Sequence, residues 1–364
     1  MRIRAALGAF ALAFTPGFNV ANVGAVADQV SHAYGIGLAV VGLFTTGLFL
    51  SHAALQVPMG RLCDRFGARI VGGTGLAIVA CASAAALGWK EAWFAIAMRF
   101  VAGVGTAASF VAGAEYTRAT IGSAVAQGMY GAVTMAAGGL ALALVPLWGS
   151  WRAPFATAAI AAAAGVVVLT LAEREPERQP VRRGLPTVVD RRLLPLAAMH
   201  AASFGLAVVI GNWVVTLLHR AGGVSEHVAG LAGALVLFLG VISRPLGGRL
   251  MNRPGVVRAS FVISGLGIAV LSIAEPLPLA IAAAAVIGIA SGIPFAPAFA
   301  GAQRLRPDAP AAAVGFVNMG AAVTILVGTP LLGLTFSLPG DGRIGFLVVA
   351  VLCSATAAVV RSRV

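Results

Sequence analysis

Long apolar runs separated by short polar breaks make up most of the chain. A helix that crosses a lipid bilayer needs about 20 mostly apolar residues. The pattern predicts twelve such helices, called spans 1 to 12 below. They cover residues 5–27, 36–57, 70–89, 92–114, 124–148, 153–172, 193–218, 228–248, 257–274, 277–300, 311–334 and 344–360. We therefore expect an all-α integral membrane protein.

One longer polar stretch interrupts this series. Residues 173–192 are rich in charge, contain proline and have no apolar face. Such a segment is typical of a solvated linker. It predicts two six-helix bundles, residues 1–172 and 193–364, joined by a cytoplasmic linker.

Basic residues predict the orientation, because cytoplasmic loops of membrane proteins carry an excess of lysine and arginine. With the N-terminus inside, 20 basic residues fall on the inner side, Arg244 among them, and four on the outer side, which leaves Arg99 within span 4. We therefore expect the protein to lie in the inner or plasma membrane, with both termini in the cytoplasm. A cleavable signal peptide is the alternative for the N-terminus. An uncleaved span 1 is favoured, because the apolar run continues to about Ala27 and the count of twelve requires it.

The two halves of the chain repeat each other. Three segments recur at nearly one offset, of 188, 185 and 184 residues: 60–67 with 248–255, 103–110 with 288–295, and 131–135 with 315–319. A repeat in the same direction predicts two parallel six-helix units related by an axis along the membrane normal, which is one of the two repeat designs of secondary transporters.

Composition agrees with a membrane protein. Hydrophobic residues make up 59% and charged residues 10% of the chain, against roughly 45–50% and about 25% in soluble domains. The net charge of +13 would suggest nucleic acid as a partner of a soluble protein. Here the charges form short clusters between apolar runs, so we expect the lipid bilayer and no nucleic acid.

Enzyme chemistry has little support in the sequence. The three cysteines are scattered and share no metal-binding spacing, so neither a disulfide framework nor a metal site is predicted. The sequence has no Gly-x-x-x-x-Gly-Lys-Ser/Thr phosphate loop and no pairing of a nucleophile with a base. We expect no catalytic residue and no cofactor.

A motif of glycines and charges follows span 2. It reads Gly60-Arg61-Leu62-x-Asp64-Arg65-x-Gly67-x-Arg69, and a degenerate copy follows span 8 at Gly248, Arg249 and Arg253. An ordinary basic loop explains the arginines but neither the glycines nor the repetition. The carboxylate of Asp64 can accept hydrogen bonds from a helix N-terminus, while the arginines can face acidic headgroups or loop carboxylates. We interpret both copies as parts of a conformational switch, weaker in the second copy because Asn252 replaces the aspartate.

Three further motifs accompany it. They are Arg99-x-x-x-Gly103-x-Gly105 in span 4, the pair Glu115 and Arg118 at the end of that span, and Trp151-Arg152-Ala153-Pro154-Phe155 before span 6. The spacing i, i+3 puts Glu115 and Arg118 on one helix face.

Together these motifs resemble the major facilitator superfamily over essentially the whole chain. The resemblance implies two six-helix bundles around a central cavity that opens alternately to either side. It also implies a coupling or substrate role for Arg99, and contact of the Glu115–Arg118 pair with the segment around Asp64. Gly138 and Gly139 in span 5 lack the proline that often follows glycine there in antiporters, which counts against drug efflux.

Arg99 lies well within span 4. An arginine at that depth costs at least ~2.5 kcal/mol and suggests function. It can bind an anionic substrate, stabilise a helix contact through backbone carbonyls, or extend outward to the headgroups. We favour a substrate or coupling role, because the surrounding motif matches the family. No aspartate or glutamate lies in the middle of a span, which favours anionic or neutral cargo over cations.

Other polar side chains within the spans are candidates for the substrate site. On the helices that line the cavity in the resembled family lie Asn19, Asn22, Gln127, Tyr130, Asn212, Trp213 and Asn318. Such groups suit the orientation of a small polar ligand, and they suit interhelical hydrogen bonds of about 0.6 kcal/mol equally well. His52 and His200 can titrate near neutral pH, although a structural hydrogen bond is the commoner role. Pro294 and Pro297 should kink span 10.

The sequence therefore predicts a monomeric secondary active transporter for a small anionic or neutral metabolite. The expected energy source is an ion gradient, with protons as one candidate ion, or the gradient of the substrate itself. A multidrug efflux antiporter is one alternative. A non-transporting sensor or scaffold of the same fold is another, and we would expect it to carry an added soluble domain.

The predicted orientation can be tested by cysteine accessibility. A single cysteine introduced within residues 173–192 should resist a membrane-impermeant thiol reagent in intact cells and react in inside-out vesicles. A cysteine at Lys90, on the predicted outer side, should show the opposite behaviour. Labelling of the linker from outside would contradict the orientation.

Overall fold

The computed structural model describes residues 3–176, 190–273 and 275–360, of which the side chains at 38, 39, 226, 227 and 231 are not described. Within these ranges the chain is helical and has no strand. The α-helices are α1 (Ile3–Ala21), α2 (Ala27–Tyr34), α3 (Leu38–Phe66), α4 (Ala68–Gly88), α5 (Ala92–Thr120), α6 (Ala124–Leu144), α7 (Ala153–Leu171), α8 (Leu194–His200), α9 (Leu206–Gly222), α10 (Glu226–Arg249), α11 (Pro254–Leu271), α12 (Leu277–Gly292), α13 (Phe295–Leu305), α14 (Pro310–Leu334) and α15 (Arg343–Ala355).

The number of spans agrees with the apolar pattern. In the described ranges, eleven helical segments are long and apolar enough to cross a membrane, and a shorter apolar helix, Arg343–Val359, stands at the twelfth place. The predicted all-α class with twelve helices is therefore confirmed.

Several predicted helix ends were wrong. Span 1 was expected to continue to Ala27, but α1 ends at Ala21 and a 3-10 turn, Gly24–Val26, precedes α2. The motif after span 2 was expected to form a loop, but α3 continues through Phe66. A single residue, Gly67, separates α3 from α4, and its φ of +95° lies in the region that favours glycine. Hydropathy alone missed these ends because side-chain contacts decide where each helix stops.

Two spans are irregular in their interior. Between α8 and α9 the chain forms a π-helical turn, Ala201–Gly205, which no sequence pattern indicated. Span 10 divides into α12 and α13 around Pro294, so the predicted kink at this proline is confirmed. The second proline, Pro297, lies within α13 and is buried.

The chain divides into two compact units. The first contains Met1–Ala126, Val133–Val188 and Arg306–Phe316, and the second contains Gln127–Ala132, Val189–Leu305 and Val317–Val364. The start of α14 thus belongs to the first unit, and a short piece of α6 belongs to the second. The division into bundles 1–172 and 193–364 stays a prediction, and residues 177–189 of the linker lie outside the described ranges.

In the first unit, glycines let α3 and the start of α14 approach closely. A Cβ atom on Gly60 would lie 2.5 Å from Cα of Ala312, and one on Gly315 would lie 2.3 Å from the carbonyl oxygen of Gln56. Both distances fall well below a van der Waals contact with backbone, which cannot move aside. Small residues are the usual means of close helix contact in membranes.

The second unit has a similar close contact at the position equivalent to Gln56. A Cβ atom on Gly128 of α6 would lie 2.3 Å from the carbonyl oxygen of Arg244 in α10. Arg244 and Gln56 each stand four residues before the first glycine of their copy of the motif. The internal repeat is therefore visible in the backbone contacts as well as in the sequence.

Gly315→Ala tests this packing. The added methyl group has no room against α3, so we expect a loss of stability of about 1–3 kcal/mol, as for other overpacked sites. Gly255→Ala is the matched control, because nothing lies within 4 Å of a Cβ atom there. Thermal unfolding of both purified variants measures the difference, and equal melting temperatures would contradict the close contact.

Candidate functional site

Asp64 caps the N-terminus of α14. Its side chain lies near the end of α3 and is buried. The two carboxylate oxygens accept hydrogen bonds from the backbone N–H groups of Ala311 and Ala312, both at 2.9 Å. The first N–H groups of a helix have no carbonyl partner within the helix, and the helix dipole favours a negative charge there. The hydrogen bonds predicted for Asp64 are therefore present, and they join two residues almost 250 positions apart.

Ion pairs lie on the helix ends of the same unit. Glu115 is fully buried near the end of α5 and accepts two hydrogen bonds from the guanidinium of Arg118, both at 2.7 Å. The predicted common face of this pair is thus confirmed. Just before α14, Arg306 makes a similar two-bonded pair with Asp308, at 2.9 and 2.7 Å. These two carboxylates bind arginines, and the carboxylate of Asp64 accepts hydrogen bonds from the backbone of α14.

The arginines of the motif point elsewhere. Arg69 donates to the carbonyl oxygens of Thr170 and Ala172 at the end of α7, at 2.8 and 3.3 Å. The backbone N–H groups of Ala68 and Arg69 in turn donate to the Glu175 carboxylate. Arg65 is exposed. Asp64 and Gly60 therefore contact α14, whereas Arg69 fastens α4 to the segment after α7.

The second copy of the motif lacks such a cap. Gly248 is buried, whereas Arg249, Asn252 and Arg253 are exposed. The N-terminus of α6 is capped by its own Ser123, whose hydroxyl accepts from the N–H of Ala126 at 3.0 Å. A charged cap of the Asp64 type thus belongs to the first copy.

Arg99 binds backbone carbonyls. It is 2% exposed and donates to the carbonyl oxygen of Asn19 at 2.6 Å, to the side-chain oxygen of Asn19 at 2.9 Å and to the carbonyl oxygen of Phe44 at 3.3 Å. The carbonyl of Asn19 is one of the last four of α1, which have no partner within the helix. This geometry is that of the helix-contact alternative, with the positive charge at a helix C-terminus. A substrate or coupling role for Arg99 stays a prediction.

His52 is held in a neutral hydrogen-bonding arrangement. Its Nδ1 lies 3.0 Å from Oγ1 of Thr106, and its Nε2 lies 2.7 Å from Nε2 of Gln56. Because the Thr106 hydroxyl donates to the carbonyl of Gly103, it accepts from Nδ1–H of His52, and Nε2 then accepts from the Gln56 amide. Both ring nitrogens are satisfied without a positive charge, which fits the structural role.

The second unit holds a buried arginine that the sequence analysis missed. Arg244 was counted as a basic residue of the inner side, but it lies within α10 and is 3% exposed. It donates to the carbonyl oxygen of Gly131 at 2.5 Å. Its guanidinium carbon lies 5.0 Å from the ring centre of Phe204 and 4.4 Å from that of Phe295. The predicted span 228–248 already contained this residue, so the sequence did indicate a charged side chain within a helix.

His200 and Asn318 lie in this unit too. Nε2 of His200 lies 3.1 Å from the side-chain oxygen of Asn318, so this nitrogen carries the proton and donates. Nδ1 has no hydrogen-bond partner. The ring contacts Phe204, Phe295 and Phe299, with ring centres 5.5, 5.4 and 4.8 Å away. Arg244 and His200 therefore share two aromatic partners.

The remaining predicted residues form separate contacts. Gln127 donates to Gln303 at 3.2 Å, and Tyr130 is fully buried. Asn22 donates to the carbonyl of Pro154 at 2.9 Å. Asn212, which is exposed, and Trp213 both donate to Thr329, at 3.4 and 2.8 Å. The substrate role predicted for these residues stays a prediction.

Comparison with known proteins identifies the family. The sequence profile of the Major Facilitator Superfamily matches residues 9–222, which is more than half of the chain. The chain belongs to the major facilitator superfamily. Among curated proteins, no sequence matches it significantly.

Solved structures of this superfamily share the fold. Two crystal structures of the E. coli fucose:proton symporter FucP superpose with TM-scores of 0.75 and 0.78 at 14% and 12% identity, and the matches cover 97–99% of each chain. The second of these shows the outward conformation. The human organic anion transporter MFSD10 superposes with a TM-score of 0.70 at 15% identity, covering 98% of this chain and 97% of that one. At such identities the likeness shows the fold, that of a multi-pass transporter.

Arg99→Met tests the helix-contact geometry. The variant loses three hydrogen bonds and leaves the carbonyl of Asn19 at the end of α1 unsatisfied, so we expect a loss of stability of about 2 kcal/mol. Arg152→Met is the control, because Arg152 is exposed and lies over the ring of Trp151. Melting temperatures of the two purified variants measure the effect. An Arg99→Met protein as stable as the wild type would contradict the contact.

Proposed function

We propose that the chain is a secondary active transporter that moves a small solute across the inner or plasma membrane by alternating access, with both termini in the cytoplasm. Membership of the superfamily supports secondary transport, and the arginine asymmetry of the sequence supports the orientation. The observation that carries the mechanism is the cap that Asp64 places on α14.

The cap has the properties of a reversible latch. Two charge-assisted hydrogen bonds hold the start of α14 on α3, and hydrogen bonds to charged groups contribute about 1.5–3 kcal/mol each. They can break as a unit without opening any hydrogen bond inside a helix, because they use the N–H groups that a helix leaves free. A contact present in one state of a transporter and absent from the other shifts the balance between the states by its own free energy.

The close glycine contacts make this latch selective for one geometry. With Gly60 and Gly315 against backbone atoms of α14 and α3, the two helices meet at a fixed separation. A small displacement of α14 therefore removes both the packing and the two hydrogen bonds of Asp64. We infer that the latch closes in one state and opens in the other, and that Arg69 does not take part in it.

An ion gradient, with protons as the candidate ion, is the proposed energy source. FucP, whose fold this chain shares, is a fucose:proton symporter, which supports proton coupling here. The proposed cargo is a small anionic or neutral metabolite. Among the described residues, Arg244 of the second unit is buried without a carboxylate partner, which supports this class, as does the likeness to an organic anion transporter.

Two other functions are less well supported. A multidrug efflux antiporter for cations is expected to carry a carboxylate in the middle of a span, but Asp64 and Glu115 lie near the ends of α3 and α5. A sensor or scaffold that does not transport has no use for a latch between moving helices. A monomer is sufficient for the proposed mechanism.

Asp64→Asn tests the latch. The amide keeps one acceptor oxygen but loses the charge and the second acceptor. The latched state therefore loses at least ~1.4 kcal/mol, which changes the equilibrium constant between the two states tenfold. We expect a folded, inserted protein whose transport falls about tenfold. Proteoliposome flux of a solute found by a thermal-shift screen of anions, neutral metabolites and drugs measures it.

Asn252→Asp is the matched control, because this residue occupies the equivalent place in the second copy and is exposed. It should transport like the wild type. Wild-type flux in the Asp64→Asn protein would refute the latch. A wild-type protein that binds a solute from the screen without moving it would favour the sensor alternative.

A further inference from the structure

Arg244 is a buried positive charge without an acidic partner in the described residues. The acidic residues of the C-terminal half stand at 190, 226, 275, 308 and 341, all outside the helical segments Val228–Arg249, Pro254–Leu271, Leu277–Leu305 and Pro310–Ser337. The guanidinium makes one backbone hydrogen bond, to Gly131, and its Nε–H has no partner. Burying an unpaired charge costs several kcal/mol. A counter-ion from outside the chain would offset that cost.

The backbone bond of Arg244 does not explain its charge. Gly131 lies in the middle of α6 (Ala124–Leu144), where a carbonyl already accepts the N–H four residues on. Arg99, by contrast, binds a carbonyl at the end of a helix, that of Asn19, in addition to that of Phe44 within α3. The equivalent position in the first unit holds Gln56, which is uncharged and makes a similar close contact through its carbonyl, with Gly315. The helix packing at this place in the repeat therefore needs no arginine.

Aromatic rings hold the guanidinium without neutralising it. Phe204 and Phe295 both lie within cation–π distance of Arg244. The same two rings contact His200, whose Nδ1 is a second buried polar atom without a partner. Two buried side chains, each with an unpartnered nitrogen, thus contact one aromatic cluster, formed by Phe204, Phe295 and Phe299.

Both irregular spans of the second unit meet at this cluster. The π-helical turn Ala201–Gly205 contains Phe204 and follows His200 directly. Such turns are rare and frequently occur at functional sites. Phe295 is the first residue of α13, after the break in span 10. In transporters with broken helices, the N-terminus of a half-helix points at anionic groups of the substrate.

We propose that Arg244, His200 and the N-terminus of α13 form a binding subsite for the carboxylate of a small organic anion. The carboxylate pairs with the free side of the guanidinium fork, close to the positive end of the α13 dipole. The phenyl rings receive the apolar body of the same ligand. This inference rests on the proposed transport function and names the class of its cargo.

Calorimetric titration of the purified full-length protein tests the subsite. The probes are butyrate, benzoate and lactate, each beside its neutral amide. We expect at least one carboxylate to bind, and its amide to bind at least tenfold more weakly. Arg244→Gln, which loses charge and fork, should weaken the carboxylate at least tenfold. Arg244→Lys, which keeps the charge, should fall between that variant and the wild type.

Arg343→Gln is the matched control. Arg343 lies in the same unit, donates to one backbone carbonyl, that of Ala221, and has an unpartnered Nε. That carbonyl belongs to the last turn of α9, so the bond there satisfies a helix end. The control variant should bind the carboxylate like the wild type.

Three results would overturn the subsite. They are the absence of carboxylate binding across the probes, equal affinity for a carboxylate and its amide, and wild-type affinity in the glutamine variant. Where the glutamine variant does not fold, wild-type affinity in Arg244→Lys decides against it. Because the titration does not depend on flux, carboxylate binding that requires Arg244 stands even where Asp64→Asn transports normally. If the protein transports only neutral solutes, the proposed transport function stands and the carboxylate subsite is refuted.

Discussion

Backbone groups at helix ends need hydrogen-bond partners when the surroundings are apolar, and charged side chains of this chain supply them. Asp64 takes the first N–H groups of α14, and Glu175 takes those of α4. Arg99 and Arg69 take carbonyls at the ends of α1 and α7. Each charge has the sign that the helix dipole favours. These caps determine where helices stop and which of them are fastened together.

Charged caps at helix ends serve two different purposes in this chain. A cap between elements of fixed position adds stability, as we expect for Arg99. A cap on an element that moves becomes a latch, as we propose for Asp64 on α14. Arg244 belongs to neither kind, because it binds a carbonyl in the middle of a helix and keeps an unpartnered N–H. An arginine that satisfies no helix end is the one we assign to the cargo.

The internal repeat also diverged in charge while it kept its packing. Gln56 and Arg244 occupy equivalent places, and each presses its carbonyl against a glycine of another helix. Asp64 and Asn252 are equivalent as well, but the first is a buried cap and the second is exposed. One half therefore carries the charged latch, and the other carries a buried arginine, Arg244, that satisfies no helix end. Close packing constrains the backbone of both halves, whereas the side-chain charges are free to specialise.

The sequence by itself determined the class, the number of spans, the repeat and the family, because bilayer thickness imposes a length on every apolar run and the motif keeps its spacing. It also indicated the Glu115–Arg118 pair, since the turn of one helix places residues three apart together. The tertiary structure decided the end of α1, the extension of α3 to Phe66, the π-helical turn and the surroundings of Arg244. Each of these depends on partners far away in the chain, such as Asn19 for Arg99. A local pattern of apolar and polar residues records which segments are helical, but not which helix end meets which side chain.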